Sequence, residues 1–220
     1  CRQVYFLMSD QLVEMIGQLH ERVQASIAQE LFEEAESLLQ SLLPLLEQAG
    51  DRIGQARVLE QLGTVYEQCG RLTEARRSYE AGLRVTHPEA RDLECLLLHR
   101  LGHLSRPSNP VQARGFFARS AGLADTLGDR RGAALSRAMI GQIEFTAGEQ
   151  ATGMIRMLAA LVEMPADAPE RTHLVEHAAY LSERMPGGSF QHLVQDHVPA
   201  GELALALLTA RARRPKSRNF

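Results

Sequence analysis

The chain has 220 residues, 45% of them hydrophobic, with a formal net charge of −3 and a sequence pI near 6.3. That is enough apolar material for a core, and it leaves no overall electrostatic footprint for nucleic acid. Apolar stretches such as Leu42–Leu46, with Pro44 inside, and Leu203–Leu208 fall far short of the ~20 residues that cross a bilayer, so no membrane span is expected.

At the N-terminus, MSDQLVEM from Met8 onward reads like a natural start. Residues 1–9 are therefore taken as an extension, with Cys1–Leu7 set aside from fold reasoning. The three cysteines Cys1, Cys69 and Cys95 are odd in number and lack CxxC spacing. They argue for a reducing, cytoplasmic setting and against a disulfide framework or zinc site. A lipid anchor on Cys1 is the alternative for localisation. Cys69 and Cys95 sit in helical patterns and read as packing residues.

Along the chain a first helical hairpin is expected at 10–48, a second at 52–86, a third at 90–127 and a fourth at 129–163. The first carries an acidic segment, Glu30, Glu33, Glu34 and Glu36. In the second, Val58, Leu59, Leu62, Val65 and Tyr66 recur at spacings of three and four, which places them on one helical stripe. Gly70 supplies the left-handed turn, and Leu72, Ala75, Tyr79, Gly82 and Leu83 form the inner face of the next helix. RPSNP, with Pro107 and Pro110, makes the turn of the third hairpin, and MPADAP (164–169) ends the fourth. A fifth-unit helix follows at 169–184, and MPGG (185–188) breaks it. SFQHLVQDH and AGELALALLTARAR, within 185–213, close the stack as capping helices. Residues 214–220 belong to a basic tail (Arg211, Arg213, Arg214, Lys216, Arg218) that reads as a solvated end.

These hairpins are copies of one unit. GDRIG at 50–54 and GDRRG at 128–132 stand 78 residues apart, and Gly63, Gly102 and Gly141 are spaced by 39 and 39, each after a large aliphatic residue. Ala35, Ala75, Ala113 and Ala151 are spaced by 40, 38 and 38, each followed four residues later by Leu39, Tyr79, Phe117 or Ile155. In GDR the glycine can end one helix and the aspartate cap the next. Small residues such as Gly63 and Ala75 let paired helices approach closely.

The stretch from Ala56 to Pro88 resembles a tetratricopeptide repeat: Leu62-Gly63, Tyr66, Ala75, Tyr79, Gly82 and Pro88 fit that pattern, the proline one place late. The period of about 39 residues exceeds the usual 34 and is similar to the longer repeats of bacterial regulators and signalling scaffolds. The resemblance implies an all-α, right-handed α-solenoid over 10–184 whose first helices line a concave groove for partners. Carried onto this chain, the groove positions are Arg57, Glu60, Gln61 and Thr64, then Leu96, His99, Arg100 and His103, then Leu135, Ala138, Met139, Gln142 and Phe145. Glu60 and Thr64 stand where relatives that grip a chaperone's carboxylate terminus use lysine and asparagine, so that clamp is not expected.

No Gly-rich phosphate loop, HExxH, GxSxG or paired-carboxylate motif occurs, so no enzymatic activity and no cofactor are expected. His99 with His103 and His173 with His177 are i,i+4 pairs, each half of a metal site without a third ligand, and read as polar surface or groove residues. The expectation is a protein-interaction module that binds a peptide or helix of another protein. Arg57, His99, Arg100 and His103 should favour acidic residues in it, and Met139 with Phe145 should accept an apolar anchor. The alternative is a ligand- or peptide-responsive regulatory domain controlling an effector.

Overall fold

In a computed structural model of the chain, residues 2–86 and 88–214 are described, with side chains from Gln11 onward. Cys1, Lys216 and Arg218, and so the expected anchor and most of the basic tail, lie outside the described residues. Every regular element among the described residues is helical, in the order α1 (Arg2–Ala28), α2 (Phe32–Ala49), α3 (Arg52–Gln68), α4 (Leu72–Val85), α5 (Arg91–Ser105), α6 (Pro110–Leu127), α7 (Arg130–Thr146), α8 (Gln150–Glu163), α9 (Glu170–Leu181), a 3-10 turn (Ser182–Arg184), α10 (Ser189–His197) and α11 (Glu202–Ala212). Helices pack in sequential, neighbouring pairs, which is the all-α solenoid class. No described helix is long and apolar enough to cross a membrane. The chain divides into two compact units, residues 1–104 and 105–220.

In the first unit the helical period fixes the core. α2 buries Ala35, Leu38, Leu39, Leu42 and Leu46, an i, i+3, i+4, i+7, i+11 stripe. α3 and α4 close tightly because Gly63 is placed against Tyr79, whose side chain is fully buried. A Cβ at Gly63 would stand 2.5 Å from Tyr79 Cδ1. The α2–α3 turn explains GDRIG position by position. Gly50 ends α2 at φ 69°, where glycine alone carries no Cβ penalty. Asp51 then caps α3 by accepting from Gly54 N at 2.8 Å. Residue 54 must be small, since a Cβ there would lie 2.8 Å from both Asp51 Cγ and Leu46 Cδ2.

The second unit repeats the device. Gly128 ends α6 at φ 71°, and Asp129 accepts from Gly132 N at 2.9 Å. α7 and α8 meet at two glycines: a Cβ on Gly141 would be 2.6 Å from Gly153 O. This corrects the expected register of the fourth hairpin. The small inner residue of α8 is Gly153, and Ala151 is exposed. Met157 is fully buried at the place expected for Ile155, which is half-buried. α9, α10 and α11 extend the same core through Leu174, Ala178, Phe190, Val194 and Leu207. The outer face of α11 is not wholly polar, for Leu205 is 68% exposed.

Candidate interaction face

The first helices of the hairpins in the first unit are α1, α3 and α5. On α3 the residues opposite the apolar stripe, Glu60, Gln61, Thr64 and Gln68, recur at helical spacing. With the C-terminal end of α1 and with Arg100 of α5 they line a pocket of about 430 Å3. Gln24, Ile27, Glu30, Phe32 and Val65 complete its wall. The pocket thus holds Gln61, Thr64 and Arg100, three of the residues expected to bind a partner.

Its electrostatics differ from the expected basic centre. Arg57 lies 4.0 Å from Asp92, both largely exposed. Arg100 sits between two carboxylates, with Nε 3.7 Å from Glu60 and Nη1 3.8 Å from Glu67. Burial, then the neighbouring His103 and Arg100, hold His99 down at about pKa 4, so its ring is neutral at physiological pH. His99 Nε2 and His103 Nε2 are 3.1 Å apart. The arginines therefore have acidic neighbours in the adjacent hairpin, and the histidines add no charge from His99. The Arg57–Asp92 pair, exposed on both sides, adds little to stability.

Hydrogen bonds tie α3 side chains to one another and to α4. Thr64 Oγ1 donates to Glu60 Oε1 at 3.1 Å, and Tyr79 OH donates to Glu67 Oε2 at 2.5 Å. Burial and then the Glu67 bond raise the Tyr79 phenol well above its ordinary value, so it remains a donor. Two polar atoms are left over: Gln61 Oε1 and Arg100 Nε are buried and have no hydrogen-bond partner. An unsatisfied buried polar group costs about 1–3 kcal/mol.

In the second unit the remaining expected residues behave differently. Gln142 Oε1 accepts from Arg106 Nη1 at 2.6 Å, and Met139 Sδ lies 3.9 Å from the same nitrogen. Phe145 is 2% exposed and belongs to the core with Met154, Met157 and Leu158. It cannot accept an apolar anchor from outside, which corrects the expectation. Its backbone is where α8 comes closest: a Cβ on Gly153 would stand 2.5 Å from Phe145 N. Ala138 is buried as well, Leu135 is half-buried against the core, and Leu96, in the first unit, is 40% exposed.

Among the described residues no three His, Cys, Asp or Glu side chains are placed to hold a metal. His173 and His177 stack at 6.4 Å, and burial, then His173, lowers the His177 pKa. Cys95 is buried as expected, whereas Cys69 is exposed, because α3 ends at Gln68 and leaves Cys69 as its cap. Sequence reasoning missed Gln24, Ile27, Glu30, Phe32 and Gln68. The signal for Gln68 was present as the polar stripe at 61, 64 and 68. Nothing local announced that the end of α1 would face it.

No protein-family profile matches the chain, and no curated protein matches it. Among solved structures, the crystal structure of BtubC (BKLC) from P. vanneervenii is similar, with a TM-score of 0.70 at 15% identity, covering 100% of this chain and 90% of that one. At that identity the likeness shows the fold alone, a helical repeat.

Proposed function

We propose that the chain is a non-catalytic protein-interaction module of the longer tetratricopeptide type, which takes a segment of another protein on the first-helix face of its first unit. The observation that carries this reading is the pocket of about 430 Å3 lined by Gln61, Thr64 and Arg100. It falls within the size range of sites that hold ligands, on the face where the resemblance puts partners. A pre-formed helical array leaves most of the ordering entropy to the partner.

The test is affinity purification of the full natural polypeptide with mass spectrometry, run beside two variants. Gln68 is exposed at the pocket wall, so Gln68→Trp should fill the mouth without disturbing the core. Leu205→Glu changes the exposed side of α11 instead. The reading expects a partner recovered by the wild type and by Leu205→Glu but lost with Gln68→Trp at an unchanged melting temperature. A partner lost only with Leu205→Glu would move the binding surface to α11.

A further inference from the structure

We infer that the pocket of the first unit grips the main chain of an extended, uncharged stretch of the partner, through one residue whose N–H is accepted by Gln61 Oε1 and whose C=O is taken by Arg100. This rests on the reading that the first-helix face is the binding face, and adds what it recognises.

Three observations converge on it. The first is a pair of atoms on two residues of the pocket wall, neither with a hydrogen bond: the acceptor Gln61 Oε1 and the donor Arg100 Nε, which has only the Glu60 carboxylate at 3.7 Å. A residue in extended conformation turns its own N–H and C=O to the same side, as in a sheet ladder where one residue exchanges both bonds with its neighbour. It is thus the complement of an acceptor–donor pair. Both protein atoms are buried in the free chain, but neither is locked. The terminal torsion of a glutamine is broad and nearly two-fold, and the Arg100 side chain is 38% exposed.

The second observation is charge. Glu60 and Glu67 already neighbour Arg100 at 3.7 and 3.8 Å, and Glu30 adds a further carboxylate to the wall. An acidic side chain entering here would meet these carboxylates, and a like charge without its own partner is rejected. The third is the rest of the wall, where Ile27 and Phe32 give apolar surface beside the polar pair. That combination suits a small apolar side chain flanking the gripped peptide unit.

A random-peptide phage library selected on the full chain supplies the probe. The selected peptide is synthesised with each residue in turn replaced by alanine or N-methylated, and binding is measured at low and high salt. The expected result is a peptide without acidic enrichment, with an affinity that changes less than about twofold between ~0.05 and ~0.5 M NaCl. One position should tolerate alanine yet lose at least about tenfold on N-methylation, since only the main-chain donor is removed there. Gln61→Leu should lose a similar factor at a melting temperature that does not fall, since it removes an unsatisfied buried oxygen, while Gln61→Glu, which keeps an acceptor oxygen, should bind within about threefold of the wild type. An acidic, salt-sensitive peptide that Gln68→Trp still blocks would overturn the main-chain inference and leave the binding face standing. So would a position where alanine abolishes binding and N-methylation does not. No selected peptide, or one that Gln68→Trp leaves bound, would overturn both.

Discussion

Gly141 and Gly153 face each other across α7 and α8 so closely that a methyl group on Gly141 would stand 2.6 Å from the Gly153 carbonyl oxygen and 2.8 Å from Met157 Cγ. Backbone cannot give way as the tip of a side chain can. Gly141→Ala should therefore separate the two helices and destabilise by about 1–3 kcal/mol. Gly122, exposed in the middle of α6 with nothing within 4 Å of its would-be Cβ, provides the opposite case. Gly122→Ala should stabilise by about 0.5–1 kcal/mol, because alanine loses less conformational freedom in a helix. Urea unfolding of both variants decides: equal effects would mean that α7 and α8 are not in contact there.

Glu30 holds φ 58° at the α1–α2 turn, the one non-glycine residue in the left-handed region among the described residues. The equivalent turn after α3 uses Gly70 at φ 72°. Glu30→Gly should relieve the steric penalty and raise the stability of the first unit by about 0.5–1 kcal/mol. A lowered melting temperature would mean that the Glu30 side chain supports the turn.

Asp51 and Asp129 each accept a single backbone N–H at a helix start. Asp51→Ala and Asp129→Ala should each cost about 0.5–2 kcal/mol. The two sites lie in different units and share no partner, so the double variant should lose close to the sum. Differential scanning calorimetry of the four proteins gives the comparison, and a double loss equal to one single loss would contradict independent caps.

Stability should also fall with acid through His99. Its folded pKa of about 4 lies below the ordinary 6.5, so the unfolded chain takes up a proton first. The contribution is fully present above pH ~6.5 and is lost as the pH drops from there towards 4. Allowing for partial exposure, unfolding free energy should decrease by on the order of 1 kcal/mol between pH 7 and pH 5 from this group. His99→Gln should flatten that part of the profile, and an unchanged slope would show that His99 is solvated.

The helices and their order were legible because apolar residues repeat every three or four positions, and because glycine and aspartate punctuate the turns at Gly50-Asp51 and Gly128-Asp129. Register in the fourth hairpin was not. Matching alanine to alanine selected Ala151, whereas carrying Gly63 and Ala75 forward by the 78 residues that separate the GDR motifs leads to Gly141 and Gly153. Phe145 looked like an anchor-binding residue by position, but the closeness that Gly153 permits draws it into the core. The charge of the face was misread for a different reason. Arg57 and Arg100 meet Asp92, Glu60 and Glu67 from the adjacent hairpin, and such partners are far off in sequence.

Partner binding at the first-helix face of the first unit can be read out by amide hydrogen exchange of the full chain, free and saturated with the selected peptide. Slowed exchange should appear in α3 around Gln61 and Thr64, in α5 around Arg100 and at the end of α1 near Ile27, the segments that line the pocket. Slowing confined to α9 and α11, around Val175 and Leu205 where a second pocket of about 520 Å3 lies, would contradict it.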